Sequence, residues 1–245
     1  MHFNLAETLI KTIPAWSITR LLDFEKCPHR SYLQTIVKSP QPELEPTHPM
    51  IRGSRIHKEV EQYISGETDE FPSSGKKCRE ILDYCRESYK HRTVSVEEKW
   101  AFDADWNPVD WFDDTVWLRA ATDCTILGDG EAEIFDWKTG KSFGNEVKYM
   151  QQMQLYAVCA FMLYPDIERL DVTLGFLDDG KLRTKSFERG AKINKLIARF
   201  TERGNTMTNC VDFRPRPNAM NCKWCPFGPT ELGGTGACLH GVTPL

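Results

Sequence analysis

Several features that would place the protein in a special class are missing from its 245 residues. No run of about 18 apolar residues is present, so the sequence predicts no membrane-spanning helix and no membrane partner. Residues 1–16 lack a basic flank and a small-residue cleavage site, so we expect no signal peptide. Internal repeats and biased tracts are also lacking. We therefore expect a globular cytoplasmic protein, from a bacterium or a phage-infected cell.

An excess of positive charge is missing as well. The 31 Lys and Arg residues are outnumbered by 35 Asp and Glu residues, which gives a net charge of −4. Nucleic-acid binders are often basic, because cations that contact phosphates release counterions. An enzyme that gathers carboxylates around a metal ion, however, carries negative charge where the ion binds. The overall charge therefore neither predicts nor excludes a nucleic-acid substrate.

Cysteine, in contrast, is abundant. Nine cysteines are an odd number, which in a reducing compartment argues against a disulfide framework and for metal ligation by some of them. Cys78, Cys85 and Cys159 fall at apolar positions of helical patterns. We expect these three residues to lie in the core rather than to bind a metal.

The order of predicted elements indicates an α/β fold with a mixed β-sheet core flanked by helices. Helices are predicted from Ser17 towards Lys26 and at about 52–64, 76–89, 145–163 and 191–203. Strands are predicted at 94–102, 115–127, 131–138, 170–177 and 182–187. We expect a single domain over residues 1–245, with N-terminal helices (17–90), a catalytic α/β core (91–205) and a Cys-rich C-terminal tail (206–245).

One predicted hairpin determines where two carboxylates lie. Asp129-Gly130 between two strands is typical of a two-residue type I′ turn, in which both residues have positive φ. That turn would place Asp123 directly opposite Asp136, and Lys138 would leave the same face of the strand as Asp136.

Two facing carboxylates repel each other unless a cation lies between them. Mg²⁺ is often bound by one or two carboxylates, with water and phosphate oxygens as the other ligands. The hairpin therefore predicts a metal site at Asp123 and Asp136, with the ammonium of Lys138 beside a scissile phosphate. Polar residues on a solvated strand face are the alternative interpretation.

Two predicted helices carry polar residues at i, i+4 spacing. His57 shares one helical face with Gly53 and Glu61, and its neutral imidazole can bind a metal, although a lone helical histidine is more often structural. Gln152 and Tyr156 project together from the helix after the second carboxylate strand. They could donate hydrogen bonds in the site or to a DNA backbone, or could simply lie at a helix–sheet boundary.

Together these segments resemble the PD-(D/E)XK nuclease superfamily, and within it the RecB-like exonucleases, which include CRISPR-associated adaptation nucleases and phage exonucleases. The resemblance extends from about Ser17 to Cys238. It rests on a G-x-x-x-H element at 53–57, an acidic residue at 123, a signature strand FDWKTG at 135–140 and a Q-x-x-x-Y element at 152–156.

The resemblance implies a restriction-endonuclease-like fold and a Mg²⁺- or Mn²⁺-dependent deoxyribonuclease. The metal ligands it implies are His57, Asp123, Asp136 and the backbone carbonyl of Trp137. The catalytic residues it implies are Asp123, Asp136, Lys138, Gln152 and Tyr156. Glu97 or Glu98 matches a further acidic position of the family, and strand alternation does not decide between them.

The C-terminal cysteines form a second candidate metal site. Cys222 and Cys225 form a C-x2-C knuckle that can direct two thiolates at one ion or cluster, and Cys238 follows. With Cys27 as the fourth ligand, this set resembles the iron–sulfur members of the nuclease group, in which a [4Fe–4S] cluster attaches the tail to the N-terminal helices. Zinc bound by three cysteines and His240, or unligated cysteines, are the alternatives.

The substrate that the resemblance implies is DNA, single-stranded or with resected ends, cleaved by an exonuclease in recombination, repair or phage DNA processing. A non-catalytic DNA-binding or assembly subunit with the same fold is one alternative, although such a subunit is expected to lose the carboxylates or the lysine. A site-specific endonuclease is the other alternative, and cleavage of closed circular DNA would identify it.

Overall fold

The computed structural model describes residues 11–243. The expectation about a signal peptide concerns residues 1–16, of which 1–10 lie outside the described residues. The chain divides into two compact units, Met1–Glu43 with Glu202–Leu245, and Leu44–Thr201. Residues 44–90 therefore belong to the same unit as the predicted catalytic core, and the description of the whole chain as one nuclease domain stays a prediction.

The described residues contain seven α-helices and six strands. The helices are α1 (Ile18–Lys26), α2 (Pro28–Tyr32), α3 (Pro49–Ser65), α4 (Arg79–Ser88), α5 (Glu146–Leu163), α6 (Ala191–Thr208) and α7 (Ala219–Lys223). The strands are β1 (Thr93–Phe102), β2 (Pro108–Val109), β3 (Leu118–Leu127), β4 (Glu131–Lys138), β5 (Arg169–Phe176) and β6 (Lys181–Glu188). None of the described helices is both long and apolar enough to cross a membrane.

All six strands form one mixed sheet in the order β2-β1-β3-β4-β5-β6. β4 and β5 are parallel, whereas the other neighbouring strands are antiparallel. A parallel pair needs a crossover connection, and α5 provides it between β4 and β5. The chain thus runs from the end of β4 through the loop 139–145 into α5.

The β3–β4 hairpin has the predicted register but not the predicted turn. Cys124 pairs with Phe135 and Leu127 with Ala132, as the facing positions required. Gly130 has φ 71°, but Asp129 is not among the residues with positive φ, so the type I′ prediction is wrong. A left-handed conformation costs less at glycine than at aspartate, and one such residue is enough for this turn. The described ladder ends at Cys124, one residue before the predicted Asp123–Asp136 pair.

The sheet packs against α3 and α4 through an apolar cluster that includes Ile56, Val60, Leu82, Cys85 and Trp137. Burial of each large side chain stabilises the fold by about 1.5–3 kcal/mol. The three cysteines assigned to the core from the sequence, Cys78, Cys85 and Cys159, are all buried, which confirms that prediction.

In the unit formed by the two ends of the chain, the C-terminal segment contacts α1 and the residue after it. Arg203 makes two hydrogen bonds to the carboxylate of Glu25, at 2.6 and 2.8 Å. Arg216 donates to the Glu25 carbonyl (2.8 Å), and the Asn221 amide donates to the Lys26 carbonyl (3.0 Å). These bonds bring the cysteine-rich tail to the N-terminal Cys27.

Candidate active site

Asp123 lies at an interruption in the pairing of β1 and β3. Val96 pairs with Cys124 and Glu98 pairs with Thr122, whereas the described ladder skips Glu97 and Asp123. Glu97 has φ 50°, a left-handed conformation that is uncommon for a non-glycine residue. Backbone strain of this kind is often found at functional sites. The interruption places two acidic side chains together where regular pairing would have continued.

Three potential metal ligands converge at this point. Ligand atoms of His57, Glu97 and Asp123 all lie within 4.8 Å of one another. His57 Nδ1 is 3.1 Å from Asp123 Oδ1, and the other carboxylate oxygen, Oδ2, accepts a hydrogen bond from the Trp137 backbone N–H (2.5 Å). Two carboxylates and an imidazole are a suitable donor set for a divalent cation. The described residues could therefore hold a divalent cation at His57, Glu97 and Asp123, whereas the hairpin predicted one between Asp123 and Asp136.

The structure separates the two glutamates that strand alternation left undecided. Glu97 joins the group with His57 and Asp123. Glu98 instead accepts a hydrogen bond from the Tyr164 hydroxyl (2.6 Å). Because the left-handed residue at 97 disturbs the alternation of the strand, period-two reasoning could not have identified Glu97.

The electrostatics of this group favour a bound cation. Burial by itself would lower the pKa of His57, but the hydrogen bond and charge of Asp123 outweigh it and raise the pKa. Burial and the neighbouring Asp123 raise the pKa of Glu97. Both shifts mean that the fully deprotonated group is unfavourable without a positive charge, which a divalent cation would supply.

A second group of residues surrounds Asp136. Its Oδ1 accepts hydrogen bonds from the Tyr156 hydroxyl (2.7 Å) and the Gln152 amide (2.8 Å), and its Oδ2 forms an ion pair with Lys138. The Gln152 carbonyl oxygen accepts from Lys138 Nζ at 3.0 Å. Gln152 and Tyr156 therefore hold Asp136 and Lys138 in one arrangement, since both project from the same face of α5.

Asp136 is almost completely buried, with 4% of the residue exposed. Burial raises the pKa of this carboxyl, and the charge of Lys138 opposes that effect. Asp136 lies outside the group of His57, Glu97 and Asp123, and its metal ligation stays a prediction, as does that of the Trp137 carbonyl.

An open groove of about 980 Å³ runs past these residues. Its lining includes His57, the carboxylates of Glu61 and Glu97, and four lysines, Lys58, Lys99, Lys138 and Lys148. Lys58 is paired with Glu61 (2.9 Å). Cations along the groove complement the charge of a phosphodiester backbone.

Arg52 fixes the position of α3 beside this groove. Its guanidinium donates to the Thr139 carbonyl (3.1 Å) and to both carboxylate oxygens of Asp178 (2.7 and 3.1 Å). At Gly53 an added Cβ would lie 3.2 Å from Thr139 Oγ1, so a larger residue there would crowd the end of β4. The glycine of the G-x-x-x-H element thus permits close packing of α3 on the residue that follows β4.

The four cysteines proposed as cluster ligands line one pocket of the other unit. Cys27, Cys222, Cys225 and Cys238 share this pocket with His240 and Arg30. Burial and then the neighbouring Cys238 and Cys27 raise the pKa of the Cys225 thiol. The Nε of Arg30 is buried without a hydrogen-bond partner among the described residues. The Arg30 guanidinium also pairs with Asp23 (3.0 Å), and the described residues bring three potential ligand atoms within 4.8 Å of one another only at His57, Glu97 and Asp123. A metal bound by the four cysteines therefore stays a prediction, with zinc and His240 as the alternative.

Sequence comparison identifies the family. The chain belongs to the PD-(D/E)XK nuclease superfamily, whose family model matches residues 15–230, and its fold is of the restriction-endonuclease-like α/β type. None of the curated protein sequences compared with it matches significantly.

Two solved structures illustrate what the fold is similar to. A candidate exonuclease from Eubacterium rectale is 13% identical, with a TM-score of 0.47 over 92% of this chain and 91% of that chain. An alkaline exonuclease from Laribacter hongkongensis is 12% identical, with a TM-score of 0.31 over 80% of this chain and 91% of that chain.

Proposed function

We propose that the protein is a Mg²⁺- or Mn²⁺-dependent deoxyribonuclease that acts as an exonuclease on single-stranded or resected DNA ends. The observation that carries this proposal is the convergence of His57, Glu97 and Asp123. The polar network of Asp136, Lys138, Gln152 and Tyr156 provides the adjoining part of the site. Processing of DNA ends in recombination, repair or phage growth would use this activity.

The roles of the residues follow from their contacts. His57, Glu97 and Asp123 would bind the cation, with Asp136 and the Trp137 carbonyl as further ligands. A divalent cation in this position supplies Lewis-acid activation of the phosphodiester and of the attacking water. Asp123 also accepts the Trp137 N–H, so the ligand carboxylate is fixed relative to β4.

Lys138 is the residue we assign to the reacting phosphate. Its ammonium is held by Gln152 and Asp136, so it does not need to reorganise when negative charge develops on the phosphate oxygens. Gln152 and Tyr156 position Asp136 and Lys138 rather than the substrate in this arrangement. Hydrolysis therefore depends on a preorganised charge as well as on the cation.

We also propose that Cys27, Cys222, Cys225 and Cys238 bind a [4Fe–4S] cluster with a structural role. The shared pocket and the neighbouring Arg30 support the cluster. His240 in the same pocket supports the zinc alternative. Either group would connect the tail to α1, because Cys27 directly follows that helix.

Digestion of end-labelled single-stranded DNA tests the proposed activity. We expect wild type to release label in Mg²⁺ or Mn²⁺ and to stop in EDTA, and Asp123→Asn to be inactive with either metal. Lys185→Ala, which replaces a lysine on β6, is the control: it should cleave like wild type, which would show that purification of a variant does not by itself abolish activity. DNA binding without cleavage would favour the assembly subunit, and cleavage of closed circular DNA would favour an endonuclease.

A further inference from the structure

The loop that joins β4 to α5 carries an exposed aromatic side chain, Phe143, three residues after Gly140, which lines the groove. Phe143 follows Lys138 by five residues and precedes the first residue of α5 by three. Its exposed fraction is 59%. Thr139 and Gly140 of the same loop line the groove. An exposed large apolar group next to a binding groove is a candidate for contact with the ligand.

The structure holds this loop in place on both sides of Phe143. Ser142 is buried, and its N–H donates to Asp179 Oδ2 (2.9 Å). Gly144 has φ 87°, and its N–H donates to the carboxylate of Glu146 at 3.0 and 3.1 Å. The inward bond of Ser142 and the surface bond of Gly144 hold the loop on either side of Phe143, and the ring is exposed to solvent.

Positive charge accompanies the aromatic ring. Lys141 Nζ lies 5.5 Å from the centroid of Phe143. Lys148 lines the groove and precedes Gln152 by one turn, on the helical face that reaches Lys138. The nearby Glu146 is bonded to Gly144 N–H and lies 3.6 Å from Arg183, so its charge is compensated. An aromatic ring among cations is the combination that binds single-stranded nucleic acid, through base stacking and phosphate contacts.

We propose that Phe143 stacks on an unpaired base next to the cleaved phosphate of a single DNA strand, while Lys141 and Lys148 bind the backbone of that strand. This inference rests on the proposed nuclease function and assigns its preference for single strands to a particular residue. Bases inside a duplex are already stacked on their neighbours, so an exposed ring selects a strand that is single or has been separated. Phe143 is therefore a residue that determines specificity for unpaired DNA, and it adds to the groove a contact that the lysines alone cannot make.

The chain contains a matched control for an exposed phenylalanine. Phe112 is 87% exposed and lies in the same unit, between β2 and β3. Its neighbours in sequence include Asp110, Asp113 and Asp114, whose charges repel phosphates. Phe112→Ala therefore removes a still more exposed ring that we do not expect to contact DNA.

The test measures the affinity for a fluorescently labelled oligothymidylate by anisotropy in EDTA, where no cleavage interferes. We expect Phe143→Ala to weaken binding about tenfold, within the range for loss of one stacked base. Phe143→Trp should retain affinity, Phe143→Leu should not restore it, and Phe112→Ala should bind like wild type. In a series of oligonucleotides with one abasic position, wild type should be sensitive at one position and Phe143→Ala at none.

The possible failures of this experiment are distinguishable. If wild type neither binds nor cleaves DNA, the proposed function itself is wrong. If wild type binds and cleaves, but Phe143→Ala has the same affinity and the same abasic profile, only the stacking role is overturned. Equal binding by Phe143→Leu and wild type would also overturn it, because it would show an apolar contact that needs no ring.

Discussion

At the scale of single residues, Asp123 connects two parts of the site. One carboxylate oxygen is 3.1 Å from His57 Nδ1, and the other accepts the Trp137 N–H at 2.5 Å. Asp123 is therefore fixed both to α3 and to β4. Glu97 completes the group and has a left-handed backbone, so the strained residue and the candidate ligand are the same one.

Glu97→Gln and Glu98→Gln test which of the two glutamates binds the metal. We expect Glu97→Gln to weaken Mn²⁺ binding about tenfold or more, because loss of ligand charge lowers the affinity of such sites. Glu98→Gln is the matched control, since Glu98 accepts from Tyr164 and lies outside the ligand group. Calorimetric titration with Mn²⁺ measures both affinities. Equal losses in the two variants would contradict the assignment.

The pKa shifts of the ligand group predict a pH dependence of stability. The pKa values of both Glu97 and His57 are raised in the folded protein. Their protonated forms are thus favoured on folding, and this contribution is fully present below their unfolded pKa values and lost as pH rises through the folded values. In EDTA we expect lower stability at pH 8 than at pH 6, and Mn²⁺ should remove the difference.

Urea unfolding at the two pH values checks this expectation, and Glu97→Gln/His57→Gln is the control variant. The double variant should show a smaller loss of stability between pH 6 and pH 8, because neither glutamine titrates. An equal loss in wild type and in the double variant would mean that other groups determine the pH dependence.

At the scale of elements, the pairing of β4 with β5 positions the strand that carries Asp136 and Lys138. Trp137 pairs with Gly175, and an added Cβ at Gly175 would lie 2.6 Å from two atoms of the indole ring. The buried Trp137 must therefore shift if Gly175 is enlarged. Because the Trp137 N–H donates to Asp123, a shift of Trp137 would also move the Asp123 carboxylate of the candidate metal site.

Gly175→Ala should lower the free energy of unfolding by about 1–3 kcal/mol, the usual cost of overpacking a core. We also expect weaker Mn²⁺ binding, through the displaced backbone of Trp137. Gly140→Ala is the control for stability, because an added Cβ there meets no described atom within 4 Å. Chemical denaturation and metal titration give the two quantities. A stability equal to that of wild type would show that the tryptophan adapts without cost.

Local sequence signals predicted most elements but not the interruption that forms the site. β4 occupies Glu131–Lys138, as predicted, because its apolar and β-branched residues end at turn signals on both sides. α6 runs five residues beyond the predicted end at 203, to Thr208, with Gly204 inside it and Met207 buried. Tertiary packing offsets the cost of about 1 kcal/mol for a helical glycine. The left-handed Glu97 has no local signal, since contacts between distant segments stabilise it.

At the scale of the whole molecule, the two units carry different candidate metal sites. Leu44–Thr201 contains the carboxylate–histidine group and the groove, whereas all four proposed cluster cysteines belong to the unit of the two chain ends. Hard oxygen and nitrogen ligands suit Mg²⁺ or Mn²⁺, and thiolates suit iron–sulfur clusters or zinc. The two candidate sites therefore have ligands that favour different metals.

Cys225→Ser should remove the thiol-bound metal while leaving the carboxylate site in place. Under anaerobic purification we expect wild type to contain iron and acid-labile sulfide, and the variant to lose both along with resistance of the tail to proteolysis. Cys210→Ser is the control, because Cys210 does not line the pocket of the four cysteines. Stoichiometric zinc in wild type would favour a zinc site over the cluster. The absence of any bound metal would contradict both the cluster and the zinc site.

The most direct test of the central claim is single-turnover cleavage of single-stranded DNA in Mn²⁺ by wild type and Lys138→Ala. Loss of a preorganised charge at the reacting phosphate should slow cleavage about 10²- to 10³-fold at Mn²⁺ concentrations that saturate both proteins and enzyme concentrations that saturate the DNA. Saturation is needed because Lys138 also pairs with Asp136 and lines the groove. Cleavage by Lys138→Ala at the wild-type rate under these conditions would contradict the account of this site.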